Sequence, residues 1–201
     1  MIVKITADNI DEVIHQALSI LREAGLVSYP TETFYGLGAK YNMLPAIKKL
    51  YAIKERPQGK AIPLIIGHVE QLSLIADSIN DTAQELIKKY WPGALTLLFN
   101  ARTDIDRRLV YKNKVAVRMP GESFALKLAK ASEFPITATS ANISNMPPAN
   151  NALAVLHYFN DAIDLIVDGG QTSGRLPSTI IDVTESQLKI LRHGAIDITL
   201  H

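Results

Sequence analysis

The chain has 201 residues, 47% hydrophobic and 20% charged, a balance that fits a soluble globular fold long enough to bury a sizeable core. It has no cysteine, which excludes disulfides and thiolate metal sites, and no apolar run approaches the ~18 residues of a membrane span. The formal net charge of +1 argues against a uniformly basic or acidic protein, though charge is unevenly placed along the chain.

The stretch Met1–Asp8 lacks the basic and apolar regions of a secretory leader, so a cytoplasmic protein is expected. Residues 2–6 read as a first strand. Asn9 is placed to cap a helix, with Glu12 three residues on as in a capping box. Ile10, Val13, Ile14, Ala17, Leu18 and Leu21 keep helical spacing, and Gly25 sits where a left-handed terminating residue belongs. Leu26–Tyr29 is the second strand. It runs into Tyr29-Pro30-Thr31-Glu32-Thr33-Phe34-Tyr35-Gly36-Leu37-Gly38, where hydroxyls, a carboxylate and bare backbone are expected to turn at a sheet edge. Such a segment is either a surface turn or a ligand-facing strand end.

A short helix is predicted over 44–53, ending before Lys54-Glu55-Arg56-Pro57 because proline disfavours helix at the preceding residue. Ile62–Ile66 reads as a buried strand, helical signals follow at 70–76 and 81–90, and Ala94–Phe99 is a strand. Residues 101–114 have little periodicity and read as loop. Val115–Arg118 is a strand, 122–132 a helix, Ile136–Ala141 a strand and 151–159 a helix. Ile163–Val167 is a strand, 171–177 a polar loop, and Ser178–Val183 with Leu188–Arg192 a closing pair, in the form of a hairpin. The mixture predicts a single α/β domain over 1–201, with an open twisted mixed or mostly parallel sheet and helices packed on it.

Several familiar site patterns are missing: a Walker A loop, a Gly-x-Ser-x-Gly elbow and a His-Glu-x-x-His helix. Gly36-Leu37-Gly38-Ala39-Lys40-Tyr41 lacks the third glycine of a dinucleotide fingerprint. A participating metal is expected to arrive as Mg²⁺ with a nucleotide. The cations are concentrated. Lys40, Lys48, Lys49, Lys54, Arg56 and Lys60 face one acid, Glu55, over 40–60, a net of +5. Arg102, Arg107, Arg108, Lys112, Lys114 and Arg118 face Asp104 and Asp106 over 101–118, a net of +4. If the two segments meet, they make a surface suited to nucleotide phosphate or RNA; otherwise they are two solvated loops.

Polar residues gather at strand ends. Lys54 and Arg56, two residues apart and expected to be exposed, can address one phosphate chain together or simply be solvated. Ser140 and Asn142 share a face if the strand stays extended, and otherwise mark a turn. Arg118 ends an apolar strand and needs a partner, either a substrate carboxylate or Glu32. Ser178 opens a strand and Arg192 closes one.

Tyr-Pro-Thr-Glu-Thr-Phe-Tyr-Gly-Leu-Gly, Lys-x-Arg, Val-Arg-Met-Pro, Thr-Ser-Ala-Asn and Pro-Ser-Thr-Ile-Ile-Asp occur in that order between about residues 10 and 194. In this the chain resembles the YrdC-type (TsaC-like) L-threonylcarbamoyladenylate synthases. The resemblance implies an open twisted sheet around a concave basic cleft. It implies condensation of L-threonine, bicarbonate or CO₂, and ATP to threonylcarbamoyl-AMP and pyrophosphate. The product serves threonylcarbamoyladenosine (t6A) formation in transfer RNA, through separate transfer proteins. It implies Lys54, Arg56, Ser140 and Asn142 as catalytic residues. Lys54, Arg56, Lys60, Asn142 and Arg192 would meet the nucleotide, with Lys114 and Asn150 near nucleotide positions where residue type varies. Thr33, Arg118, Ser140 and Ser178 would meet threonine. His68, one residue from the polar position that often follows the family's Pro-Leu-Ile strand, is a further threonine-binding candidate. The extra C-terminal domain of longer members is not expected here. Pro57 and Gly59-Lys60 look more like the synthases than like a sister branch without a settled activity. The alternative is a structured-RNA-binding module of the same fold, taking transfer RNA or double-stranded RNA.

Overall fold

Two β-sheets divide the strands in the computed structural model, which describes residues 1–198 apart from Arg175 and Ser186. In chain order the elements are β1 (Ile2–Lys4), α1 (Ile10–Arg22), β2 (Val27–Pro30), β3 (Tyr35–Gly38), α2 (Leu44–Ile53), β4 (Leu64–Ile65), α3 (Asp81–Tyr90), β5 (Leu95–Asn100), β6 (Val110–Tyr111), β7 (Lys114–Arg118), α4 (Phe124–Ala131), β8 (Ile136–Thr137), β9 (Thr139–Ser140), α5 (Ala152–Phe159), β10 (Leu165–Asp168), β11 (Thr179–Asp182) and β12 (Lys189–Arg192). The expected helix near 70–76 is a 3-10 helix, Val69–Leu74. Arg175, within the expected 171–177 loop, lies outside the described residues.

The first sheet runs β1-β10-β2-β3-β9 and the second β12-β11-β5-β7-β4-β8, with β6 also paired to β7. Both mix parallel and antiparallel pairs, as in β10 with β2 and β2 with β3. The α/β class stands, but one expected strand is shared between sheets. Residues 136–141 break at Ala138, so that β8 pairs with β4 and β9 with β3. Ala138 N–H donates to Pro63 O at 2.8 Å and Thr137 N–H to Ala39 O at 2.8 Å, which stitches the sheets along this segment.

One apolar core joins β3, α2, β5, β7 and α5 through Leu37, Leu50, Leu97, Val117 and Val155. A second packs Leu18 and Leu21 of α1 with Phe124 and Leu128 of α4 and with Val27 and Leu165. The buried face of α1 is Val13, Ile14, Ala17, Leu18 and Leu21, as the spacing requires. Its ends differ from the sequence expectation. Asn9 occupies the N-cap position without capping: its Oδ1 accepts from Thr6 N–H at 2.8 Å and its Nδ2 donates to Lys4 O at 3.0 Å. The side chain is spent on the incoming strand, and the capping box does not form. At the other end the left-handed residue is Ala24, with φ +62°, and Gly25 follows it. Gly25 N–H donates to Ile20 O at 2.8 Å, closing a Schellman turn, and a Cβ there would collide with Ile20.

Gly36 and Gly38 are also corrected. They lie within β3 rather than in a turn, opposite Tyr29 and Val27. Tyr29 is fully buried and its ring lies across both, so a Cβ on either would come within 2.8 Å of the ring edge. Bare backbone here makes room for a core tyrosine, whose hydroxyl donates to Thr137 O at 3.0 Å.

Candidate functional site at the facing sheet edges

Register in the second sheet sends three candidate residues to one edge. Arg118 ends β7, which runs antiparallel to β5 with Val117 opposite Leu97. β11 runs parallel to β5 with Thr179 opposite Leu95, so Ser178 precedes it at that same edge. β12 returns antiparallel, with Arg192 opposite Ile180. Ser178 is buried, and its Oγ lies 2.8 Å from Thr96 Oγ1. Arg192 Nη2 donates to Ser178 Oγ at 3.1 Å and Nε to Ser178 O at 3.0 Å. Desolvation, and behind it the Arg118 charge, hold the Arg192 guanidinium below its usual pKa. The two arginines therefore share one electropositive neighbourhood.

The first sheet contributes the loop between β2 and β3. Thr31 Oγ1 accepts from Thr33 N–H at 3.1 Å and Phe34 N–H at 3.2 Å, and donates to Phe34 O at 2.7 Å, forming a tight polar turn. From that turn Glu32 Oε1 accepts from Arg118 Nη1 at 2.9 Å, and the loop of one sheet is thereby fixed to the strand end of the other. Thr33, 9% exposed, follows. A strap crosses the same turn: Ser173 Oγ donates to Glu32 O at 2.8 Å and Gly174 N–H to Thr33 O at 2.9 Å. Thr172 N–H donates to Asn150 O at 2.8 Å, so Asn150 borders the strap.

Lys54 is the main departure from the expected surface. It is 1% exposed, not open to solvent. α2 stops at Ile53, Glu55 takes φ +48°, and the Lys54 side chain runs inward. Its Nζ donates to Ser140 O at 2.5 Å and Asn142 O at 2.6 Å, with Asn142 Oδ1 at 3.5 Å. Ser144 N–H returns a bond to Lys54 O at 2.9 Å. These acceptors are all neutral. Desolvation, then the charges of Arg56 and Lys60, pull the ammonium down to about 7.

The caged segment continues the site. Ser140 lies opposite Gly36 at the start of β3, close in sequence to Thr33. Ser140 Oγ donates to Asn142 Oδ1 at 2.5 Å, while Asn142 Nδ2 donates to Ile143 O at 2.9 Å and Met146 O at 2.6 Å. Asn142 thus closes its own loop with the groups expected to face a nucleotide. The Arg56 fork holds Lys60 O at 2.8 Å and Ala61 O at 2.6 Å, with Nη1 3.5 Å from Thr139 Oγ1. Lys60 itself is exposed.

Two further candidates have protein partners of their own. Lys114 begins β7, roughly 13 Å from Arg118 at a strand rise of about 3.3 Å per residue. There its Nζ pairs with Asp182 at 2.7 Å and Glu185 at 3.2 Å. The His68 ring lies 3.0 Å from Lys130 O at the end of α4. Thr96, Thr139 and Ser173 touch the candidate residues, although the sequence assigns none of them a contact of its own. Thr96 had a readable signal, a lone hydroxyl inside the apolar run Leu95–Phe99.

The two basic segments do meet. They line a concavity of about 760 Å³ with Lys48, Glu55 and Arg56 from one and Asp106, Arg107 and Arg108 from the other. Tyr51 Oη pins the meeting, 2.8 Å from Lys60 O and 2.6 Å from Arg108 O. Among the described residues, no helix is long and apolar enough to cross a membrane.

Comparison with known proteins gives a consistent family. The Sua5/YciO/YrdC family, described as telomere recombination, matches residues 19–194. A threonylcarbamoyl-AMP synthase of Pyrococcus abyssi (strain GE5 / Orsay) is 41% identical over 182 residues, covering 90% of this chain and 53% of that protein. A threonylcarbamoyl-AMP synthase of Klebsiella pneumoniae is 31% identical over 180 residues, covering 88% of this chain and 94% of that one. The crystal structure of P. abyssi Sua5 complexed with L-threonine superposes with a TM-score of 0.88 at 39% identity, over 96% of this chain and 57% of that chain. The chain thus spans little more than half the length of the P. abyssi relative.

Proposed function

Since the chain belongs to the Sua5/YciO/YrdC family, we propose that it is a threonylcarbamoyl-AMP synthase, joining L-threonine, bicarbonate or CO₂, and ATP, with release of pyrophosphate. The observation that carries the proposal is the convergence of Arg118, Ser178 and Arg192 at one sheet edge, tied by Glu32 to the turn that presents Thr33. The likeness to a solved structure complexed with L-threonine supports the substrate.

The threonine α-ammonium first gives up a proton; the free amine attacks CO₂ and loses a second proton to solvent as the carbamate forms, and a carbamate oxygen then attacks the α-phosphorus of ATP as the bond to the leaving pyrophosphate breaks. Neither step needs a protein nucleophile. The residues must position the reactants and balance charge on phosphate. Arg118 would hold the threonine carboxylate, its planar fork suiting a paired contact. Thr33, Ser140 and Ser178 offer hydroxyls around it. Arg56, Lys60 and Arg192 would meet the nucleotide. Lys54 and Asn142 would act by fixing the 140–146 loop, since their polar atoms are spent there. Among the described residues no three His, Asp or Glu side chains converge. Mg²⁺ entering with ATP would supply charge neutralisation at the phosphates, beside the cations Arg56, Lys60 and Arg192. Cytoplasmic t6A transfer proteins would receive the product.

The test is pyrophosphate release from ATP. The proposal requires release that depends on both threonine and bicarbonate; release equal with and without threonine would sink it.

The concavity formed by the two basic segments favours a second reading, binding of structured transfer RNA or double-stranded RNA through backbone phosphates. It predicts ATP-independent binding that weakens steeply with salt, measurable by fluorescence anisotropy. Salt-insensitive or absent binding would remove it.

A further inference from the structure

Glu32 engages one carboxylate oxygen and buries the other. Oε1 is engaged by Arg118, but Oε2 is buried and has no hydrogen-bond partner among the described residues. A buried carboxylate oxygen left unpaired is costly and rare. The position of Glu32 is nonetheless closely defined. Its main-chain oxygen accepts from Ser173 Oγ at 2.8 Å. Its side chain lies beside bare Gly121, where a Cβ would stand 3.6 Å from Cγ and 3.7 Å from Cδ. Arg118 is the complement: among the described residues its side chain makes one hydrogen bond, to Glu32, out of the several a guanidinium can donate.

One anionic acceptor and several cationic donors therefore stand side by side, at 22% and 11% side-chain exposure. An α-amino acid carries the matching pair, an ammonium and a carboxylate on one carbon. We propose that Glu32 Oε2 accepts a hydrogen bond from the α-ammonium of the substrate amino acid while Arg118 takes its α-carboxylate. The two residues together select an α-amino acid over a hydroxy acid or a simple amine. The inference rests on the threonine-binding reading above and assigns Glu32 a substrate contact within it.

Glu32→Gln is the informative variant. Its amide oxygen keeps the bond to Arg118, while its NH₂ presents donors where the ammonium needs an acceptor. The measurement is calorimetric binding of two ligands, L-threonine and (R)-3-hydroxybutanoate, which is L-threonine without its amine. Losing a charge-assisted contact should weaken L-threonine by roughly tenfold to a hundredfold and leave (R)-3-hydroxybutanoate within about twofold. Glu32→Asp, which keeps the charge on a shorter stem, should restore part of the preference for L-threonine. Equal weakening of both ligands would mean that Glu32 acts only by orienting Arg118, and would overturn the inference. So would unchanged L-threonine binding in Glu32→Gln. Wild-type protein that binds no L-threonine would overturn the proposed function itself, a result distinct from either of these.

Discussion

Lys54 Nζ donates to the main-chain oxygen of Asn142 at 2.6 Å, across 88 positions of sequence. The bond binds the end of α2 to the loop after β9 and encloses an ammonium among neutral acceptors.

This enclosure has a pH signature. The folded ammonium titrates near 7, against an ordinary value of 10.5. Between those values the unfolded chain binds the extra proton, so this group makes stability rise with pH across the window. Below about 7 both states are charged, and burial of the charge weighs fully against folding. The stability of wild type minus that of Lys54→Met should therefore increase from about pH 7 to about pH 10 in urea denaturation. A difference that stays flat would show that the ammonium is not held as described.

The Glu32–Arg118 bridge predicts strong coupling. Arg118→Ala strands a carboxylate against the strap and should cost roughly 3 kcal/mol, as for other largely buried pairs broken on one side. Glu32→Ala with Arg118→Ala should cost less than the sum of the single variants, by about 1–2 kcal/mol in a double-mutant cycle. Additive losses would mean that the bridge contributes little to joining the sheets. Arg118→Ala should also abolish L-threonine binding.

Lys114 is held in ion pairs. The resemblance sets it near the nucleotide, and at the start of β7 its ammonium is engaged by Asp182 and Glu185. Lys114→Ala should leave the KM for ATP within about twofold and lower stability by about 1 kcal/mol, the scale of a partly exposed ion pair. A tenfold rise in KM would restore the nucleotide role.

Gly36 is fixed by the ring of Tyr29 rather than by a turn. Gly36→Ala puts a methyl 2.8 Å from Tyr29 Cε2 and should destabilise the protein by roughly 1–3 kcal/mol through overpacking. Thermal denaturation measures this, and an unchanged midpoint would contradict it.

The legible features were mostly local. The face of α1 follows from spacing within thirteen residues, and α2 matches its predicted span. The need of Arg118 for a partner is legible because a strand-end guanidinium in an apolar run cannot be left unpaired, and Glu32 is one of the two partners the sequence offers. What was hidden depends on distant contacts. Nothing near Ala138 says that the strand changes sheets there; pairing with β4 and β3 decides it. Lys54 reads as a surface cation until the carbonyls of Ser140 and Asn142 are brought to it. Asn9 has the right residue type for a cap, but Thr6 and Lys4 capture it first. Convergence of the motifs on one site could be expected from their shared order with a family, while the sheet register that brings Ser178 beside Arg192 is visible only in the fold.

Synthase activity is read directly by mass detection of the product. Protein incubated with ATP, Mg²⁺, L-threonine and bicarbonate should yield threonylcarbamoyl-AMP, and omission of any one reactant should remove it. Folded protein that binds L-threonine and ATP yet forms no such adduct is not a synthase.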